Sequence, residues 1–237
     1  MCGRFALSTD ITTVAKVFGV APSLQASPRY NIAPTQEVVS ILHNGTAHME
    51  WLQWGLIPSW AKDESIGSKM INARAETLAE KPSFKRLLHS RRCLVVADGF
   101  YEWKKERGGK TPMYITLKDG SPFAFAGLWD LWHSPDGRDI RTCTIVTTEA
   151  NALVTSIHDR MPVILSAEAR DLWLDSSIHD EKILVPLLAP YPAEEMSARA
   201  VSRLVNNPKI EGAELIACRR GPRASSSGII LLCVDRP

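Results

Sequence analysis

The chain has 237 residues, 45% of them hydrophobic and 23% charged, with 28 basic against 26 acidic side chains. This is ordinary globular composition, enough to bury a real core in one large domain or two small ones. A net charge of +2 excludes any global electrostatic signature of nucleic-acid binding, so such binding must come from a local patch.

Five cysteines (Cys2, Cys93, Cys143, Cys218 and Cys233) are odd in number, widely spaced and free of any CxxC, which argues against a disulfide framework or a zinc site. No signal peptide precedes Cys2 and no apolar run reaches membrane-spanning length, so a soluble cytoplasmic protein without a membrane partner is expected.

In chain order the first feature is Met1-Cys-Gly-Arg-Phe5. A small residue after Met allows removal of the initiator, leaving Cys2 with a thiol and a free α-amine on adjacent carbons. Their reference pKa values, about 8.5 and about 7.7–8.0, leave both partly reactive near neutrality. Such a pair suits acyl transfer, with the amine as base, or condensation with an aldehyde through a Schiff base to a five-membered thiazolidine. Taken alone, an ordinary small residue at a frayed terminus is the simpler reading.

Ser8 or Thr9 can cap a short helix in which Ile11, Val14, Ala15 and Phe18 share a face, closed by Gly19. Strands are expected over 38–42, 49–54, 93–98, 112–118, 123–129, 142–148, 162–165 and 201–205, all short, rich in Val, Ile, Phe and Thr, and bounded by Gly, Pro or Asp. Residues 60–70 read as a surface loop. A helix starting near Pro82 buries Phe84, Leu87 and Leu88, and another after Ser166 carries Leu172 and Trp173. Strands in series predict an α+β protein: one domain on a curved, largely antiparallel, barrel-like sheet with a few short helices. The domain is placed at 1–216. Residues 217–237 form a C-terminal extension that is basic at first and ends in an apolar run.

Stock motifs fail. Gly109-Lys110-Thr111 lacks the earlier glycine of a phosphate loop, since that position is Lys104. His43, His48, His89, His133, His158 and His179 show no ligand spacing, so no metal or other cofactor is expected. What remains are polar residues set in apolar strand-like sequence, where purposeless burial is costly: Asn72 and Arg74, Glu102, and His158 with Arg160. Singly each has a bland reading: a solvated edge carboxylate, a surface ion pair, a helix-end cap. Together with Cys2 they are the parts that proton-transfer chemistry at a carbonyl needs.

At this point the chain resembles the SRAP family, the SOS response-associated peptidase or abasic-site-processing proteins. The matching blocks are Met1 to Phe5, Tyr30-Asn-Ile-Ala-Pro-Thr-Gln36, Trp54-Gly-Leu-Ile-Pro-Ser-Trp60, Ile71-Asn-Ala-Arg-Ala-Glu-Thr77, Ala97-Asp-Gly-Phe-Tyr-Glu-Trp103, Ile157-His-Asp-Arg-Met-Pro162 and Val201-Ser-Arg-Leu-Val-Asn-Asn207 with Glu211-Gly-Ala-Glu-Leu215. They run in order from residue 2 to about 216. The resemblance implies a sensor and shield of abasic sites in single-stranded DNA that forms a covalent thiazolidine through Cys2, with lyase-like chemistry on the sugar aldehyde and a secondary peptidase activity. It implies Cys2 as nucleophile, Glu102 and His158 as proton carriers and Asn72 as the group holding the Cys2 terminus or sugar oxygens. Arg4, Arg74 and Arg160 would meet phosphates, while Pro34, Trp60 and Ile71 would form an apolar platform for bases. Arg203, Asn206 and Asn31 are further DNA-contact candidates. The protein would be monomeric and associate with the nucleoid on DNA damage.

Two rivals stand beside this reading. Glutamine amidotransferases also begin Met-Cys-Gly and attack an amide with an N-terminal cysteine, but typically continue with an apolar stretch where this chain has Arg4-Phe5. A non-catalytic single-strand-binding module would leave Cys2 incidental. Ala61 follows Trp60 where relatives carry a second aromatic, which reduces the expected stacking surface.

Overall fold

The structure, a computed structural model, describes residues 2–218. In chain order the elements are β1 (Phe5–Leu7), α1 (Ile11–Phe18), β2 (Arg29–Ile32), β3 (Glu37–His43), β4 (Ala47–Trp54), β5 (Asn72–Arg74) and α2 (Pro82–Ser90). They continue with β6 (Arg92–Ala97), β7 (Gly99–Glu106), β8 (Gly109–Leu117), β9 (Phe123–His133), β10 (Asp139–Glu149), β11 (Arg160–Pro162), α3 (Ala167–Leu174), α4 (Glu181–Leu184) and β12 (Met196–Ala200). No helix among the described residues is long and apolar enough to cross a membrane.

The strands form two sheets. One runs β12-β8-β7-β1-β2 and is antiparallel throughout. In the other, β10 pairs with β4, β4 with β3, β3 with β6, β6 with β9, and β9 returns to β10, so the hydrogen-bonded circuit closes as a five-stranded barrel. Only the β10–β4 seam and the β10–β5 pairing are parallel. The expected α+β class and curved, mainly antiparallel core are therefore present.

An aromatic cluster fastens the sheets together. Phe125 on β9 meets Phe5 of β1, Phe100 of β7 and Phe123 edge-on, with centroids 5.7, 6.1 and 5.3 Å away, and Phe5 meets Trp54 of β4 at 5.2 Å. Phe5, Phe100, Phe125 and Trp54 are wholly buried. Each such side chain contributes about 1.5–3 kcal/mol by burial alone. A smaller cluster on the other face of the five-stranded sheet joins Ala6, Tyr101 and Tyr114 to Val201, Val205 and Leu215 of the C-terminal segment. There β7 passes under the Tyr114 ring at Gly99, where a Cβ would lie 2.5 Å from Cζ.

The local expectations need several corrections. Asp10 rather than Ser8 or Thr9 caps α1, its carboxylate accepting from the Thr13 N–H at 2.9 Å. Ser8 and Thr9 instead give their N–H groups to Asp98, at 2.5 and 2.8 Å, which anchors the end of β1. The strand expected at 201–205 is absent: Val201 and Val205 are buried and Leu204 is exposed, a four-residue spacing met by a 3-10 turn at Arg203–Asn206. The strand expected at 162–165 is shifted to Arg160–Pro162. Leu172 is 41% exposed, and only Trp173 on α3 is buried. Within the 60–70 loop, Glu64–Lys69 winds as a 3-10 helix. Strands β1, β2, β5, β7 and β12 lie outside the expected segments. The apolar run at the end of the C-terminal extension lies outside the described residues.

Candidate active site

The antiparallel register Phe5↔Phe100 carries the start of the chain along β7 toward Glu102, and the Arg4 carbonyl accepts the Tyr101 N–H at 2.9 Å. Cys2 is wholly buried there and Glu102 only 3% exposed. On the other side, β5 lies parallel to β10 with Asn72 opposite Ile145. Strand alternation buries Ala73 and turns Asn72 and Arg74 the other way. The Asn72 amide nitrogen donates to the Cys2 carbonyl at 2.7 Å, while its Oδ1 is buried and has no hydrogen-bond partner among the described residues.

Burial pushes the Cys2 thiol well above its ordinary range, and the Glu102 charge raises it further. Burial likewise raises the Glu102 carboxyl, against the opposing attraction of His158. A raised carboxyl is a stronger base than an ordinary one, which suits Glu102 to take up a proton from a reactant.

His158 follows a 3-10 turn, Val154–Ser156, just before β11. The Arg160 N–H donates to its Nδ1 at 3.0 Å, and Asp159 Oδ1 lies 2.8 Å from the same atom. These contacts ask opposite things of Nδ1. The backbone donor needs a lone pair on Nδ1, whereas Asp159 needs a proton there. The Arg160 guanidinium meets Glu76 with both arms and also donates to the Thr147 carbonyl at 2.7 Å.

Arg74, Glu102, His158 and Arg160 line a cleft of about 1080 Å³. The same walls hold Trp103, Lys105 and Lys110, which the sequence reading did not single out. Their signal was faint: a turn at Arg107-Gly108 with a lysine two residues away on either side. Among the described residues no cluster of His, Cys, Asp and Glu is placed to hold a metal ion.

The remaining candidates lie outside this cleft. Arg4 Nη1 donates to Asn31 Oδ1 at 2.7 Å and to the Val205 carbonyl at 2.9 Å. Asn31 is fully buried and donates to the Asn207 and Ile210 carbonyls. These two residues tie down the segment that carries Arg203 and Asn206, and Asn206 Oδ1 accepts from the Trp103 indole at 2.7 Å. Pro34 and Ile71 are half-buried and linked through Trp54, whose carbonyl accepts from Thr35 and whose indole donates to Ile71. Trp60 is 62% exposed on a turn whose flanks are fixed: the Ser59 N–H donates to Asp130 and the Trp132 indole to the Ala61 carbonyl.

A family model described as SOS response associated peptidase (SRAP) matches residues 1–208. The chain is 49% identical over 221 residues to the abasic site processing protein YoqW of Bacillus subtilis (strain 168), covering 91% of this chain and 99% of that one. It is 34% identical over 224 residues to YedK of Escherichia coli (strain K12), another abasic site processing protein, with the same coverage. A crystal structure of a protein from Bacteroides thetaiotaomicron superposes with a TM-score of 0.83 at 30% identity, over 92% of this chain and 99% of that one.

Proposed function

Because the chain belongs to the SOS response associated peptidase (SRAP) family, we propose that it processes abasic sites in single-stranded DNA by bonding to them covalently through Cys2. Removal of Met1 frees the α-amine, which adds to the C1′ aldehyde of the ring-opened sugar. Glu102 accepts the ammonium proton, and loss of one water leaves an imine. The Cys2 thiol then adds to the imine carbon as its proton passes to nitrogen, closing a thiazolidine. The net change is addition of the aldehyde with release of one water. His158 supplies and retrieves protons at the sugar oxygen during opening, dehydration and reversal. The Asn72 amide fixes the Cys2 carbonyl and offers its buried Oδ1 to the liberated amine.

The observation that carries this reading is the treatment of the second residue. A frayed terminus has no reason to be buried, bonded by a strand asparagine and set beside a buried carboxyl. Arg74 and Arg160 on the cleft wall are suited to flanking phosphates, Arg160 without leaving Glu76. Pro34, Trp60 and Ile71 offer apolar surface to bases, with Arg4, Asn31, Arg203 and Asn206 supporting them from the C-terminal side.

A denaturing gel of the protein with a single-stranded oligonucleotide carrying one abasic site tests the proposal. A heat-stable shifted band with that strand, absent with an intact strand and lost in Cys2→Ala, is the expected result. Protein whose mass shows loss of Met1 but which forms no band would overturn it and direct attention to amide hydrolysis, assayed as glutaminase activity.

A further inference from the structure

Strand β7 does not end at the carboxyl it carries. Beyond Glu102 it continues through Trp103, Lys104 and Lys105 to Glu106, turns at Arg107 and Gly108, and returns as β8 from Gly109. Four cations, Lys104, Lys105, Arg107 and Lys110, crowd this short hairpin. Lys105 and Lys110 are direct cross-strand partners, and both line the cleft.

Like charges directly opposite each other destabilise a strand pair. Neither ammonium is relieved internally, for no carboxylate makes an ion pair with Lys105 or Lys110 among the described residues. The hairpin's own acid, Glu106, is turned to Thr111, whose hydroxyl donates to it at 2.6 Å. Glu149 and Asp159 line the same cleft, and among the described residues neither makes an ion pair with Lys105 or Lys110. Alternation places Trp103 on the face of β7 that carries Lys105, about 7 Å away along the strand. Its indole N–H is held by Asn206, which fixes the ring. Glu102 lies on the opposite face of β7 by the same alternation, but it lines the cleft together with Trp103, Lys105 and Lys110. An aromatic plane followed by two ammoniums along that wall matches the alternation of base and phosphate along a single strand.

We propose that the outer half of the β7–β8 hairpin is the exit path of the DNA strand, with Lys105 and Lys110 together holding one backbone phosphate to one side of the abasic sugar. The assignment rests on the function proposed above and adds a direction to it: the strand leaves Cys2 along β7. The partner is a phosphodiester backbone, read without regard to base.

The test uses the full chain and an oligonucleotide bearing a tetrahydrofuran in place of the abasic sugar, which has no aldehyde and so reports reversible binding alone. For a single strand, each phosphate that the protein ceases to neutralise lowers the slope of log affinity against log salt by about 0.7. The Lys105→Ala/Lys110→Ala double variant is expected to bind more weakly, with a slope shallower by about 0.7. Lys105→Arg/Lys110→Arg should restore the slope, and Lys182→Ala, on α4, should leave it unchanged. Shortening the oligonucleotide on one flank should erase the difference between wild type and double variant, whereas shortening the other should not. An unchanged slope, or a loss indifferent to which flank is shortened, would overturn the hairpin assignment. Failure of the wild type to crosslink a true abasic strand would instead overturn the proposed function, since the salt slope does not depend on the covalent step.

Discussion

Glu76 grips Arg160 with both carboxylate oxygens, Nη1–Oε1 at 2.6 Å and Nη2–Oε2 at 3.0 Å. The pair joins the turn after β5 to the first residue of β11, and so ties the wall carrying Asn72 and Arg74 to the one carrying His158. Hydrogen bonding from Arg160 holds the Glu76 carboxyl below its ordinary range. A carboxyl depressed in the folded state stabilises the fold above its unfolded value of about 4.3, and that stability is lost as pH falls through the folded value. Glu76→Gln should therefore melt below the wild type at pH 7, and the difference should vanish near pH 3. A gap that persists undiminished in acid would show that the charge is not its source.

Glu102 has the opposite sign. Burial raises its carboxyl in the folded protein, so its contribution is fully favourable below the unfolded value of about 4.3 and is lost as pH rises through the window up to the raised folded value. Glu102→Gln, which removes a buried carboxylate and keeps the shape, is expected to melt higher than wild type at pH 7. Each kcal/mol gained should appear as about 2–4 °C, shrinking toward pH 4. The same variant should crosslink slowly and lose the acid limb of the pH–rate profile. A faster or unaltered crosslinking rate removes Glu102 from the proton path.

Trp60 separates binding from stability. Its ring is largely exposed, so Trp60→Ala should shift the melting temperature by no more than a degree or two, roughly 0.5 kcal/mol. If a base stacks on it, the reversible affinity for single-stranded DNA should fall by about 1–3 kcal/mol. Equal affinity of the two proteins by fluorescence anisotropy would exclude Trp60 from the interface.

Gly99 offers a steric prediction free of any functional assumption. Its missing Cβ leaves room for the Tyr114 ring at 2.5 Å, so Gly99→Ala should destabilise by about 1–3 kcal/mol through overpacking. Combining it with Tyr114→Leu should recover part of that loss, which urea titration of the single and double variants would read as non-additivity. Strict additivity would mean that the ring is not the obstacle.

The elements visible in the sequence were those long enough to show a period. Residues 38–42 and 123–129 lie within the strands observed, and the helix at 11–18 has the face built from Val14 and Ala15. Strands β1 and β5 are three residues each and exist only because Phe100 and Ile145 offer them partners, so no local pattern could announce them. The site followed the same division. Cys2 stood out by its place after Met1, and Asn72, Glu102 and His158 as polar groups in apolar surroundings, but their arrangement depends on pairings between distant parts of the chain. Arg4 and Asn31 looked like surface contacts and proved to be inward-facing ties to residues 205–210. Lys105 and Lys110 were hidden because cross-strand opposition has no sequence signature beyond the turn between them.

The burial of Cys2 has a consequence in time. Two groups set beside it are made later, Asn72 and then Glu102. At about 5–20 residues per second during synthesis, the thiol waits on the order of ten seconds or more before its enclosure can be complete. On the proposed chemistry, once Met1 is removed the Cys2 amine and thiol of the nascent chain would meet the free aldehydes and oxidants of the cell with no Glu102, no Asn72 and no cleft to discriminate among them. Folding thus acts as the reagent's first protecting group, and slow-folding variants should accumulate adducts at Cys2 that have nothing to do with DNA.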